Sequence, residues 1–160
     1  SVLAPNVISS GSLGSLDTLT AWNGEVAVSL GPVLVQAQTI ALKLDRTLLD
    51  DRRFNGQTLS IGWIVTGQRH DYSASSGVFG GPDRRKGKGA FEIAARYSRL
   101  DLADGTFDRG IGRALSASAI WTISTNLRLL ATYTDNRVHF PTGGLPVTNH
   151  VGLIRAQLSF

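Results

Sequence analysis

Alternation of apolar and polar residues is the main pattern along this chain. In the segment AWNGEVAVSL, the large apolar residues share one parity, and polar or small residues take the other. The segments LSIGWIVTGQR, FEIAARYSR, LSASAIWTI and NLRLLATYTDN repeat this pattern. Because successive side chains of a β-strand point to opposite faces, a period of two predicts strands rather than helices.

The pattern predicts seven strands, over residues 20–31, 33–46, 57–69, 90–101, 114–123, 127–138 and 150–160. Strands of this length exceed the usual mode of about 5–6 residues in soluble proteins. They match the roughly 9–11 tilted residues that cross the hydrocarbon core of a bilayer. In the second strand the polar positions change parity between Gln38 and Lys43, which predicts a β-bulge near Thr39 or Ile40.

The connections between these strands differ in length. LGPV and STN are tight turns, whereas TLLDDRRF, LADGTFDRGIGR and PTGGLPVTN are longer. Short turns at one end and long loops at the other are typical of outer-membrane barrels. Residues 70–88, HDYSASSGVFGGPDRRKGK, form a long basic connection on the short-turn side. The Ser- and Gly-rich residues 1–19 form a poorly defined N-terminal segment.

Two fold classes explain seven alternating strands. A soluble antiparallel sandwich or barrel would also bury one face. Two features favour the membrane: small residues dominate the polar face, as in an aqueous lumen, and aromatic residues lie near strand ends, as in interfacial girdles. We therefore expect residues 1–160 to be a single antiparallel transmembrane β-barrel domain of the outer-membrane porin type, or the C-terminal half of one. The predicted interface aromatics are Trp22, Trp63, Tyr97, Trp121, Tyr133 and Phe160.

Composition narrows the possible partners and chemistry. The chain has 160 residues, no cysteine, no methionine, a net charge of +4 and a pI of about 10.0. Without cysteine there is no disulfide framework and no thiol chemistry. No apolar run reaches the roughly 18 residues of a spanning helix. The basic balance favours anionic partners. The start at SVLAPN, without an initiator methionine, predicts a processed or truncated chain.

No enzyme site is expected. His70, His139 and His150 fit no metal-ligand spacing, so we predict neither a metal nor a cofactor. GGPDRRKGKG lacks the strand–GxxxxGK[ST]–helix setting of a phosphate-binding loop. Ser, His and Asp occur without a nucleophile-elbow motif, so no catalytic residue is assigned.

Several segments resemble the family of phosphate-selective porins O and P. They are GWIVTGQRHDY, the glycine-rich SGVFGGPDRRKGKGAFEIAARYSRLDL, and the terminal LRLLATYTDN and GLIRAQLSF. Upstream, WNGEVAVSLGPVLVQAQ is similar to the family's strand–GP–strand hairpin, in which an acidic residue often stands at the position of Gln38. The similarity covers residues 17 to 160.

The resemblance implies a sixteen-stranded, trimeric porin of the bacterial outer membrane. This chain would be its C-terminal half, with seven to eight strands in a larger barrel; a small closed eight-stranded barrel, with its interior filled by side chains, is the alternative. The implied partners are outer-membrane lipid, lipopolysaccharide, small anions, and further copies of the chain as a trimer or a larger membrane complex. Nucleic acid is not an expected partner.

The implied function is an anion-selective diffusion channel of the phosphate or polyphosphate type. The candidate pore-lining and anion-binding residues are Arg84, Arg85, Lys86, Lys88, Arg96, Arg128 and Arg155. Guanidinium groups hold phosphate by forked hydrogen bonds, and rings of Arg or Lys select anions. Arg96 has an alternative role in an ion pair with Glu92 or a neighbouring carboxylate. The RRKGK run has an alternative as a solvated periplasmic loop.

Two other functions stay open from the sequence. One is a structural barrel component, or an accessory subunit of a larger outer-membrane complex, without conductance of its own. The other is a basic soluble β-domain that binds nucleic acid, which predicts solubility without detergent and salt-dependent binding. The long strands and aromatic girdles weigh against this last function.

Overall fold

A computed structural model of the chain describes residues 17–46, 50–82, 89–104, 107–124 and 126–159. Seven of the strands in these residues form one antiparallel sheet in the order β1-β2-β3-β6-β7-β8-β9, and β4 pairs with β5 in a separate hairpin. Within the described ranges, no helix is long and apolar enough to cross a membrane. The strands are β1 (Thr18–Leu30), β2 (Val33–Asp45), β3 (Arg52–Ile64), β4 (His70–Ser73), β5 (Val78–Pro82), β6 (Ala90–Asp104), β7 (Phe107–Thr122), β8 (Leu127–His139) and β9 (Val147–Leu158).

The seven strands predicted from alternation are all present, but their bounds differ. β3 begins at Arg52 rather than at residue 57, and β7 begins at Phe107 rather than at residue 114. These segments lack clear alternation but still pair, as Leu44 does with Arg52 and Asp104 with Phe107. The long connection predicted between β6 and β7 is therefore mostly strand.

The predicted β-bulge in β2 is wrong. β2 pairs with both neighbours without a break in register from Val33 to Leu44. The parity of its polar residues changes because the two faces of the sheet exchange character toward the end of β2. Near the end of β2, Lys43 points to one face, where it meets Asp45 at 2.5 Å, while Leu44 is buried on the other. The sheet does contain one irregularity, between Asp101 and Ala103 of β6.

The β1–β2 turn has the geometry that the sequence predicts. Leu30 pairs with Val33, so Gly31 and Pro32 form a two-residue turn. Gly31 has a φ of 63°, which a residue with a side chain rarely adopts. The turn therefore needs glycine at this position, and it fixes the register of the first two strands.

The described strands do not close into a barrel. β1 pairs only with β2 and β9 only with β8, so each leaves one edge without a partner among the described residues. The prediction of an all-β antiparallel fold is confirmed, but the seven strands make an open sheet. An exposed sheet edge offers unpaired backbone groups that need a neighbouring strand.

Very little of the sheet is covered by a second layer. The buried apolar residues are few, and the one cluster among them joins Leu44, Phe54 and Leu102, with Leu42 packed against it. Many large apolar side chains are exposed, including Trp22 at 60% and Leu115 at 59%. A soluble sandwich buries one face of each sheet against another sheet. No second sheet covers this one within the described ranges.

Candidate functional site

The register of the sheet sorts its side chains into two faces. Residues directly opposite each other in neighbouring strands share a face, and consecutive residues in one strand alternate. We call the face that carries Arg96 the polar face and the face that carries Ile61 the apolar face. One row of the polar face is Ala27, Gln36, Ser60, Arg96, Ser116, Thr134 and Val151, and the adjacent row of the apolar face is Val28, Val35, Ile61, Ala95, Ala117, Tyr133 and Gly152.

The sheet also has two distinct ends. We call the end with the β1–β2 and β7–β8 turns, beside Leu30 and Thr122, the turn end. The opposite end, beside Asp45 and His139, is the loop end. The β4–β5 hairpin lies in the connection from β3 to β6 and therefore belongs to the turn end.

Hydrogen bonds between hydroxyl and amide side chains cross the middle of the polar face. They link adjacent strands, so the short polar side chains are held in place while their remaining donors and acceptors face outward. This surface suits contact with water. The pairs are Gln38 with Asn23 (3.1 Å), Thr58 with Ser98 (3.3 Å), Ser116 with Thr134 (2.9 Å) and Ser118 with Thr132 (2.9 Å).

Arg96 lies at the centre of the polar face and is exposed. Its Nε donates a hydrogen bond to Ser98 Oγ at 3.2 Å. Within the described ranges it makes no ion pair with a carboxylate, so the alternative pairing with Glu92 is not observed. The guanidinium borders a depression of about 380 Å³ whose lining includes Thr58 and Asn136. Its charge is therefore available to an ion in that depression.

Arg128 and Arg155 share the polar face with Arg96, as their parity predicts. Arg128 lies opposite Gln157, so Arg155 is its diagonal neighbour on β9, about 7–8 Å away between backbones. Arg155 is exposed, whereas Arg128 is half-buried and its Nε has no hydrogen-bond partner among the described residues. Two of the three arginines thus stand together near the turn end, and Arg96 stands apart.

A buried pair of titratable side chains lies on the polar face at the turn end. Glu92 and His70 are 9% and 7% exposed. Gly62 leaves the space for them, because a Cβ at Gly62 would lie 2.7 Å from Glu92 Oε1 and 3.7 Å from His70 Cε1. His70 Nδ1, on β4, lies 3.4 Å from the carbonyl oxygen of Gly80, on β5. This contact connects the two strands at the base of the hairpin.

Sequence reasoning missed this hairpin and its anchor. The segments of β4 and β5 are too short to show alternation, and two of the five residues of β5 are glycines. The signal available in the sequence was the pair of aromatic residues Tyr72 and Phe79 on either side of a short turn. In the structure the centroids of their rings lie 4.9 Å apart. Four predicted site residues of the same connection, Arg84, Arg85, Lys86 and Lys88, lie outside the described residues.

Five of the predicted interface aromatics lie on the apolar face in two belts. The belt nearer the loop end contains Trp22, together with Tyr97 and Tyr133 at the midpoints of β6 and β8; Trp63 and Trp121 form the belt toward the turn end. All five are between 42% and 60% exposed. Phe160, the sixth predicted member, lies outside the described residues.

Between the two belts the apolar face carries only apolar or small residues over nine residues of β1 (Trp22–Leu30), seven of β6 (Phe91–Tyr97) and seven of β8 (Leu127–Tyr133). At about 3.4 Å per residue this is about 24–31 Å of strand, or about 18–23 Å of height for a tilt of about 40°, close to an apolar band about 25 Å tall. Beyond the band, at the loop end, the same face becomes charged, with ion pairs such as Arg99–Asp101 at 3.0 Å and Arg137–Asp135 at 2.7 Å.

The described residues contain no group of three or more His, Cys, Asp or Glu side chains that could hold a metal ion. In comparisons with known proteins, the family model described as phosphate-selective porin O and P matches residues 4–160. No curated protein and no solved structure gives a significant match.

Proposed function

We propose that this chain, which belongs to the phosphate-selective porin O and P family, forms part of the wall of an anion-selective diffusion channel in the bacterial outer membrane. In this arrangement lipid covers the apolar face, and the polar face lines the aqueous path. The permeating species are small anions of the phosphate type. The observation that carries the proposal is the exposed Arg96, which makes no ion pair among the described residues and lies beside hydroxyl and amide side chains at the middle of the polar face.

The charges of the polar face favour anions over cations. Away from the loop end, its charged side chains are Arg96, Arg128 and Arg155 against Glu25 and Glu92. Glu92 is buried, so the exposed charge of the face is more positive than this count suggests. Exposed guanidinium groups bind phosphate by forked hydrogen bonds. Spaced sites in a wet channel bind weakly enough for the ion to move on.

The basic connection at the turn end adds to this path in our proposal. Arg84, Arg85, Lys86 and Lys88 follow directly after β5, whose partner strand is anchored on the polar face through His70. The positive charge of these four residues would raise the concentration of anions near the turn end. The two aromatic belts would hold the sheet at the two membrane interfaces.

The open edges of the sheet allow two ways of completing the wall. β1 and β9 each have one edge without a partner among the described strands, so the wall has to be continued by further strands. In the family, trimers of larger barrels are expected, and the additional strands come from the same protein. In a structural or accessory role the strands would come from another membrane protein, and this chain would have no conductance of its own.

Planar-bilayer recordings on the full-length protein distinguish the two roles. The channel function predicts stable conductance steps and, in a salt gradient, a reversal potential whose sign shows anion preference. Added phosphate should reduce the chloride current, because the two anions compete for the same arginines. Stable insertion without any conductance would support the accessory role and contradict the channel.

A further inference from the structure

Three arginines stand side by side on the apolar face at the loop end. Arg99 lies directly opposite Arg113, and Arg113 lies directly opposite Arg137, on the adjacent strands β6, β7 and β8. We call these three residues the arginine row. Like charges directly opposite each other in a sheet are destabilising. Anions close to the three guanidinium groups would reduce this repulsion.

The protein supplies only part of that neutralisation. Arg99 pairs with Asp101 at 3.0 Å, and Arg137 pairs with Asp135 at 2.7 Å. Arg113, between them, is exposed and makes no ion pair with a carboxylate within the described ranges. Three guanidinium groups and two carboxylates leave one net positive charge, and it is centred on Arg113.

An open trough lies on the same strands, on the side of the row that faces the apolar band. Its volume is about 970 Å³, comparable with pockets that hold small ligands. The floor consists of small residues, and larger apolar side chains such as Trp63, Ile93 and Ile154 form the rims. The small floor residues are Ala95, Ala117, Ala119, Ala131 and Gly152.

The trough and the arginine row are aligned along the strands. On β7, Ala117 lies four residues from Arg113, about 14 Å along the strand, and Ala119 lies about 20 Å away. Tyr97 on β6 and Leu115 on β7 separate the row from the trough, and the residue at the same level on β8 is Asp135, which pairs with Arg137. A molecule with an anionic head and a long apolar tail would therefore contact both features at once.

We propose that the arginine row and the trough together bind one phosphorylated lipid of the membrane leaflet on the loop side. Its phosphate lies against Arg113 between the other two guanidinium groups, and an acyl chain lies in the trough. This inference rests on the proposed function, because it needs the apolar face to lie in a bilayer.

Charge and position favour a lipid over a second copy of the chain. The row lies where the apolar band ends, which is the depth of lipid headgroups. A phosphate monoester offers three acceptor oxygens to neighbouring guanidinium groups and a carboxylate offers two, so a phosphate fits a row of three arginines better than a single carboxylate does. Small residues in a membrane face also allow a second protein to approach closely, but a second protein would have to bring a buried anion to Arg113.

Native mass spectrometry of the full-length protein in detergent tests the proposal. Phosphatidic acid should remain bound, and diacylglycerol, which has the same chains without the phosphate, should not. Arg113→Gln should weaken phosphatidic acid binding by about tenfold or more, as expected for loss of a charged hydrogen-bond partner. Lys43→Gln is the matched control: Lys43 is on the same face and at the same end but pairs with Asp45, and its replacement should leave binding unchanged.

A second variant tests the trough separately. Ala117→Leu keeps the face apolar and the arginines intact but fills the floor, so it should reduce phosphatidic acid retention several-fold. Equal retention of both lipids, or displacement of phosphatidic acid by equimolar inorganic phosphate, would overturn the lipid site. So would an Arg113→Gln variant that retains lipid but changes the oligomeric mass, since this result would indicate a subunit contact.

The outcome for the lipid is separable from the outcome for the channel. Conductance is recorded on the same wild-type preparation. Conductance without lipid retention refutes only the lipid site. Lipid retention without conductance leaves the lipid site in place and contradicts the channel.

Discussion

A pair of arginine substitutions at adjacent positions of β2 should have very different effects on stability. Ala37 belongs to the apolar face and lies directly between Val26 and Leu59. Gln36 belongs to the polar face and lies between Ala27 and Ser60. Both side chains are half-buried, so the two positions differ mainly in the medium that each face contacts.

The magnitude follows from the depth of Ala37. It lies six residues from Lys43 at the loop end, about 20 Å along the strand, or about 15 Å of depth for a strand tilted by about 40°. This is close to the middle of an apolar band about 25 Å tall, where arginine costs about 2–4 kcal/mol. Gln36→Arg places the same group in water, opposite uncharged neighbours, and should change stability by less than about 0.5 kcal/mol.

The assay is equilibrium unfolding in guanidinium chloride of the full-length protein folded into lipid vesicles, followed by tryptophan fluorescence. Ala37→Arg should lower the free energy of unfolding by at least about 2 kcal/mol, with Gln36→Arg close to wild type. If Gln36→Arg were the more damaging substitution, or if both were harmless, the assignment of lipid to the apolar face would be refuted.

Two further predictions concern the channel and the backbone. Arg96→Gln should lower the anion-to-cation permeability ratio about twofold in 0.1 M salt, because a unit charge about 8 Å from an ion contributes roughly 0.2 kcal/mol after screening. The control Lys43→Gln should leave the ratio unchanged. An unchanged ratio in the Arg96→Gln channel would show that Arg96 does not line the path. Gly110→Ala should lower the free energy of unfolding by about 1–3 kcal/mol, because Gly110 has a φ of 91° and an added Cβ would lie 2.9 Å from Val138 Cγ1. The control Gly152→Ala should be neutral, since an added Cβ there would have nothing within 4 Å. Equal unfolding midpoints for the two variants would contradict backbone strain at Gly110.

Parity made much of the fold predictable from the sequence. A strand's side chains alternate whatever lies beyond its ends, so the shared face of Arg96, Arg128 and Arg155 followed from position alone. The same rule placed Trp63 and Trp121 together on the opposite face. The antiparallel order followed from the short connections.

Features that depend on depth or on contacts between strands could not be read from alternation. The parity change in β2 occurs without a break in register, as polar side chains pass from one face of the sheet to the other, and the sequence alone does not distinguish this from a bulge. The arginine row joins Arg99, Arg113 and Arg137, which are distant in sequence and meet only through the register of three strands. The anchor of the hairpin depends on the absence of a side chain at Gly62, which carries no hydrophobic signal.

A nitroxide scan along β8 tests the central assignment of the two faces most directly. The chain has no cysteine, so single-cysteine variants from Leu129 to Thr134 can be labelled without removing a native thiol. In vesicles, accessibility to oxygen should peak at residues 129, 131 and 133, and accessibility to a water-soluble nickel chelate should peak at residues 130, 132 and 134. Peaks of both reagents at the same positions would contradict a sheet with lipid on one face and water on the other.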